Sequence, residues 1–509
     1  MASILDHVSD KLPRNTIYGG LRGSNVCIGK YFRELYPSSN QTEYKYPSSK
    51  KISFVIASPD KLAWHDMKSM YLKFKLTNVL HAQGKISEPA GSAIINRIVV
   101  RMNGTVIEDI SRYNHLNAFL KRKLLTRVQK NAKPEQGWDY VNTMNTSDLD
   151  DGTVVEDGTS VGAQNWIGAD GADPTDNVDV RPSKSWMIEP RGMEGQTLCC
   201  SLDLAGILDC QTLLSGYYMP LEIDLFLEDP KVCGQLSSSI TDNARPVTSY
   251  GVTNPRLCID QIILSPEYVS AFEAQMIAAS GGPGIQIPFQ SYYTFDTLES
   301  PGDTTFWVRK PVRYLRSVMW GAVEQQARAI SVEAKEATEE DPEVIGVPGN
   351  GGTEEGFEDS FRFGRVNLVR AGLGALAAVG TYGINSWQVS VGSKNYREIA
   401  GTDATVQNNN FEESDCMFYK CVKSYNDSTV GNDEFKPSLR KCHMAQTGLD
   451  LDFSPDLSVL ASESTLNGND VRLRLKGTAG ANKFKIYVFM KYQCSLALYP
   501  GNEVRLLET

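Results

Sequence analysis

The clearest pattern along the chain is a two-residue alternation of apolar and polar side chains. Met70, Leu72, Phe74 and Leu76 fall on one side of an extended segment, and Lys73, Lys75 and Thr77 on the other. A strand reads this way when one face of an antiparallel sheet is buried and the other is wet. Similar runs at 51–56, 197–202 and 221–228 predict three more strands. Toward the carboxy terminus, strands are predicted at 257–264, 284–295, 313–320, 386–391, 470–476 and 484–498.

The period changes within residues 94–128. Ile94-Ile95 and Arg97-Ile98-Val99-Val100-Arg101-Met102 lead to Asn103-Gly104, then to Thr105-Val106-Ile107-Glu108-Asp109-Ile110. Asn-Gly between two β-branched runs signals a type I′ hairpin, because both central residues need positive φ. Ile110, Tyr113, Leu116, Leu120, Leu124 and Val128 then recur every three or four residues. That spacing predicts an amphipathic helix entered directly from the hairpin. A second helix is expected after Leu264, where Ser265 offers an N-cap oxygen and Pro266 suits the first turn.

The polar stretches divide the chain. Residues 1–49 read as an arm, punctuated by Gly19, Gly20, Gly23 and Gly29 and carrying an aromatic patch from Tyr31 to Tyr36. It holds too little apolar surface to fold alone, so it is expected to dock on a neighbour or an inner layer. The first β region spans 50–230, with a Gly- and Asp-rich insertion at 134–181. A linker at 231–255 leads to a second region, 256–509, interrupted at 321–360 and 401–447. The expected fold is mainly β: two tandem eight-stranded sandwiches with Greek-key connections, a few short helices and long loop insertions.

Composition narrows the function more than it names it. Net charge is −10, which disfavours a general nucleic-acid binder, since duplex binding needs a cationic surface. Ten irregularly spaced cysteines do not make a disulfide framework. Cys199 and Cys200 are adjacent and would face opposite sides of a strand, so free thiols and a reducing compartment are expected. The Met-Ala-Ser-Ile-Leu-Asp-His start has no signal-peptide character. The sequons at Asn40, Asn145 and Asn426 are therefore expected to stay unmodified.

No set of residues makes a convincing catalytic or metal site. Gly158-Thr159-Ser160-Val161-Gly162 matches a nucleophile elbow in letters, but no strand or helix pattern flanks it. Asp148-Leu149-Asp150-Asp151-Gly152 places its glycine one position early for a calcium loop. Cys416, Cys421, Cys442 and His443 have no closed zinc spacing. His7, His65, His81, His115 and His443 are scattered, unlike the clustered ligands of a cupin. Lys121-Arg122-Lys123, with Arg127 and Lys130, reads as a solvated or subunit-contacting helix face. No catalytic, cofactor-binding or metal-binding residues are assigned, no cofactor is expected, and the protein is read as no enzyme.

The segment from Ile94 to Asn114 resembles part of the double jelly-roll major capsid proteins of polinton-like viruses, virophages and related small eukaryotic DNA viruses. In that family a strand ending in a Gly turn leads to a Val-x-Glu-Asp/Glu-Ile-x-x-Tyr run entering a helix, matched here by Val106, Glu108, Asp109, Ile110 and Tyr113. Lys51 to Asn78 resembles the preceding strand pair. Weaker echoes lie at Val391-Gly392-Ser393-Lys394-Asn395-Tyr396 and Gly448-Leu449-Asp450-Leu451-Asp452. The resemblance implies two jelly rolls side by side in a viral structural protein. It implies a homotrimeric, pseudo-hexagonal capsomer, or hexon, tiling an icosahedral shell. The implied partners are neighbouring capsomers, penton and minor or cement proteins, with other proteins or an internal membrane separating the shell from the genome. The implied location is the virion capsid, assembled in host cytoplasm or nucleus. The rival reading is a carbohydrate-binding or adhesion protein of two β-sandwiches, with Trp138, Trp166 and Trp186 stacking on sugars.

Overall fold

The computed structural model describes residues 26–122 apart from 40, 78–84 and 88, then 134–138, 197–235 and 249–279. Beyond these it describes 282, 284–299, 304–308, 310, 315–324, 327–328, 354–355, 384–391, 394–395, 399–400, 448–450, 471–477, 484–501 and 503–507.

Eight principal strands come first: β1 (Cys27–Leu35), β2 (Lys51–Ile56), β3 (Ala63–Thr77), β4 (Ile95–Met102), β5 (Thr105–Ile110), β6 (Thr197–Ser201), β7 (Leu221–Leu227) and β8 (Gly251–Leu264). They form two antiparallel sheets, ordered β1-β8-β3-β6 and β2-β7-β4-β5. Eight more follow: β9 (Ile285–Glu299), β10 (Thr304–Val308), β11 (Leu315–Glu324), β12 (Ile384–Val391), β13 (Lys394–Asn395), β14 (Gly448–Asp450), β15 (Val471–Gly477) and β16 (Phe484–Tyr499). Their sheets run β9-β16-β11-β14 and β10-β15-β12-β13. Counted within each set of eight, both sets have the same order, 1-8-3-6 and 2-7-4-5. First pairs with last, second with seventh and fourth with fifth. This nested pairing is the double Greek key of a jelly roll, and it occurs twice.

The alternating patterns become inward-facing rows. Ile52, Phe54 and Ile56 of β2 are buried, as are Leu72, Phe74 and Leu76 of β3 and Ile223 and Leu225 of β7. Each fully buried side chain of this size contributes roughly 1.5–3 kcal/mol, so these rows fix which face of each strand turns inward. The central strands of the second set, β16 above all, read as near-continuous apolar runs. Val488, Phe489 and Met490 are all fully enclosed, because the first set covers the outer side of that sheet.

The hairpin forms as its dipeptide predicts. Met102 pairs with Thr105, and Asn103 and Gly104 both take positive φ, 50° and 80°. A Cβ at Gly104 would meet nothing within 4 Å, so only backbone strain resists substitution there. Gly104→Val should therefore lower unfolding free energy by about 1–3 kcal/mol, read from urea unfolding, with Gly104→Asn costing clearly less. In the second set Val391 likewise pairs with Lys394 across two intervening residues.

Several expected boundaries move. Leu257–Leu264 was predicted to open the second region, yet its strand, β8, lies between β1 and β3 of the first set. Strand length misleads here, because β8 begins at Gly251 inside the stretch read as linker. The stretch read as an arm contains β1 and a short strand at Glu43–Lys45, both paired with β8. Strand β11 continues through Glu324 into the stretch read as an insertion from 321. The predicted helix is also shorter at its start. Ile110 ends β5, and α1 covers Tyr113–Asn117, followed by one π-helical turn at Ala118–Arg122. Leu124 and Val128 lie outside the described residues. The predicted N-cap holds: in α2 (Pro266–Ala278) the Ser265 hydroxyl accepts from the Tyr268 amide. Its apolar side packs back on the first set, with Phe272 edge-on to Trp64 at 5.0 Å.

Candidate functional site

Two features stand out from this frame: an internal junction built on the hairpin–helix, and an exposed edge strand.

The junction begins at Arg112. Its backbone sits at φ 53°, a region few residues with a Cβ adopt. The turn carries its guanidinium to Asp296 of β9 (3.4 Å) and toward Glu228 (3.9 Å). Lys485 of β16 holds the other side of Asp296 at 2.7 Å. One turn on, the His115 ring stacks on Tyr487 at 4.4 Å, and Phe119 meets Phe489 at 5.1 Å. The side of the helix that meets the second set's longest strand is thus the one carrying His115 and Phe119, not the stripe of Tyr113, Leu116 and Leu120 read from the sequence. Burial pulls His115 well below its ordinary value, so the stacked ring is neutral.

Glu108 of β5 lies deeper in the same junction. Its two carboxylate oxygens accept from the amides of Gly206 (3.1 Å) and Ile207 (2.8 Å). The Gly206 backbone in turn presses on β9: a Cβ there would lie 1.4 Å from the Gln290 carbonyl oxygen. Burial pushes Glu108 up to about 7, partly offset by Ser291 and the two amides. The folded protein thus holds this proton more tightly than the unfolded chain, whose carboxyl titrates near 4.5. Its stabilising contribution is full below about pH 4.5 and lost as pH rises through about 7. Between pH 5 and 8 the protein should lose roughly 3 kcal/mol that a Glu108→Gln variant keeps. Parallel urea titrations check this, and equal slopes for the two proteins would contradict it.

The exposed edge is β1. It ends its sheet, so its outer backbone edge faces no strand among the described residues. Ile28, Tyr31, Phe32 and the following Tyr36 are each 57–62% exposed. Monomeric proteins seldom leave a long edge strand this apolar, and contiguous exposed apolar groups mark interaction surfaces. The sequence showed the aromatic patch but not the strand, because Gly29 breaks its alternation. The inner edge is tied down by ion pairs, Lys30 with Asp260 at 2.7 Å and Glu34 with Arg256 at 2.5 Å.

The remaining sequence candidates do not converge. Ser160, the Asp148–Gly152 run, Cys416, Cys421, Cys442, His443, His7, His81, Arg127, Lys130, Trp166 and Trp186 lie outside the described residues. Trp138, a candidate sugar platform, is buried in the core at 2% exposure. Lys121 was read as part of a solvated helix face. It is instead buried, 2.7 Å from both carboxylate oxygens of Asp203, because the π-helical turn rotates it inward. His65 sits on β3, away from α1, and burial pulls it down to about 4. The seven described cysteines are all free, and burial pushes Cys200 and Cys210 up to about 12. Among the described residues no three His, Cys, Asp or Glu side chains group to hold a metal. No helix there is long and apolar enough to cross a membrane.

No protein-family model and no curated protein matches the chain. Among solved structures, a chain of the Sputnik virophage aligns over 94% of this chain and 88% of its own, at 12% identity and a TM-score of 0.49. The Faustovirus major capsid protein aligns over 98% of both chains, at 9% identity and a TM-score of 0.47. The mavirus major capsid protein aligns over 93% of this chain and 89% of its own, at 11% identity and a TM-score of 0.41. The assignment of the fold rests on the strand order of this chain, repeated in full in each half: it is a double jelly roll.

Proposed function

We propose that this protein is a viral structural protein, a major capsid subunit whose work is assembly. The observation that carries the reading is the repeated 1-8-3-6 and 2-7-4-5 strand order, with the two sets braced by one continuous core. A rigid pair of like-shaped modules presents two similar flanks, and three such pairs close into a tile with pseudo-sixfold outline. The capsomer is accordingly a homotrimer, and tiles of this outline cover an icosahedral shell. Neighbouring capsomers, penton proteins and minor or cement proteins are its partners. The two modules divide between β8 and β9, at α2.

The apolar edge of β1 supports the reading, since an assembling subunit needs an exposed surface that a monomer would bury. Sedimentation of the full chain tests it. Wild type should sediment as a trimer at micromolar concentration. Phe32→Lys, a change at an exposed position, should keep the same urea midpoint and shift toward smaller species or fewer contacts between trimers. A wild-type protein that stays monomeric at high concentration would overturn the proposal.

A further inference from the structure

We propose that the outer face of β10, β15 and β12 binds an acidic sugar, a pyranose bearing a carboxylate or a sulfate. This goes beyond the assembly role and involves none of the surfaces invoked for it.

Pairing across the three strands lays out the site. Trp307 is opposite Arg472, which is opposite Ser390; Thr305 is opposite Arg474, which is opposite Gln388. Directly paired residues of antiparallel strands project to the same side, so these six form two adjacent rows on one face. Trp307 is 46% exposed, the guanidinium of Arg472 lying 4.3 Å from its ring centre. Arg472 Nε is enclosed and makes no hydrogen bond within the protein. Arg474 is exposed. Neither arginine makes an ion pair among the described residues, in a chain that carries an overall charge of −10.

The chemistry of the face selects its ligand. Two unopposed arginines attract an anion and can grip a carboxylate or sulfate through paired N–H donors. An exposed indole offers a flat apolar surface to the C–H face of a sugar ring. Thr305, exposed opposite Arg474, adds a hydroxyl partner for a sugar hydroxyl. A protein partner would call for several apolar anchors. Among the described residues this face exposes one large apolar side chain, Trp307, whereas β1 exposes three.

Calorimetric titration of the full-length protein with sialyllactose, a sulfated heparin hexasaccharide, lactose and inorganic sulfate tests the proposal. At least one acidic sugar should bind, and sialyllactose against hexasaccharide separates carboxylate from sulfate recognition. Trp307→Ala and Arg474→Gln should each weaken that binding at least tenfold, and lactose and free sulfate should bind far less well. Arg474 is exposed, so its variant keeps the fold, as an unchanged urea midpoint verifies. Absence of binding by either acidic sugar would overturn the proposal, as would binding that both substitutions leave unchanged. Equal binding of lactose or of free sulfate would overturn it too. Preferential binding of a peptide spanning residues 333–341 of this chain would replace it with a contact between copies.

Discussion

Gly206→Ala should cost the protein about 3 kcal/mol or more, at the upper end of what overpacking costs. One methyl group has such an effect because of what it meets. The new Cβ would fall 1.4 Å from the carbonyl oxygen of Gln290, which is backbone and part of β9. No rotamer change relieves that contact. Either the 205–208 turn retreats from β9, or β9 shifts within its sheet. Retreat of the turn also withdraws the Gly206 and Ile207 amides from Glu108, leaving a buried carboxyl without its donors, a further penalty of about 1–3 kcal/mol. Urea unfolding gives the loss. Hydrogen exchange gives its location: amides of β9 should exchange faster in the variant, and those of the β4–β5 hairpin much less so. A variant as stable as wild type would mean that the close approach of the two jelly rolls at Gly206 is wrong.

Phe119→Ala should destabilise by about 3–5 kcal/mol, the usual cost of emptying a buried aromatic site. Phe119 is 1% exposed and packs on Phe489 of β16 at 5.1 Å, with Tyr487 stacked beyond it. The loss should split unevenly between the two sides of the junction, because the helical turn carrying Phe119 can follow the cavity while the central strand β16 cannot. A double-mutant cycle with Phe489→Ala isolates the pair. Coupling of about 0.5–1.5 kcal/mol is expected for an aromatic contact of this kind. Additive single effects would mean that the helix does not bridge the two jelly rolls through this pair.

Much of the fold was legible because two kinds of signal are local. Period-two alternation marked strands such as β2, β3 and β7, whose one face is wet. Asn103-Gly104 marked the hairpin, since its positive φ values are a property of the dipeptide. What stayed hidden was set by distant pairing. β8 looked like the start of the second half because nothing in residues 251–264 says that the strand returns to lie between β1 and β3. β1 has an irregular pattern because it is an edge with no buried position on either face, so its polar and aromatic residues mix along both. Lys121 looked solvated because a run of basic residues normally is, and only the π-helical turn and Asp203 bring it inside. Trp307 stayed hidden because Thr304-Thr305-Phe306-Trp307-Val308 does not alternate in sequence. Only burial separates Phe306 and Val308, turned inward, from the exposed Trp307.

The stretch from Asn103 to Phe119 thus has a larger role than its hairpin alone suggests. The turn fixes β5. β5 places Glu108 against the 205–208 turn, and Arg112, His115 and Phe119 then reach β9 and β16. Stability of the junction and rigidity of the subunit are the same property in this reading, because a tile holds its outline only if its two modules cannot rotate.

Electron micrographs of the purified full-length protein test the central claim, assembly into capsomers, most directly. The account predicts particles of uniform size with a triangular or hexagonal outline, joining into flat arrays or closed shells as concentration rises. Small isolated globules of single-chain size at every concentration would contradict it.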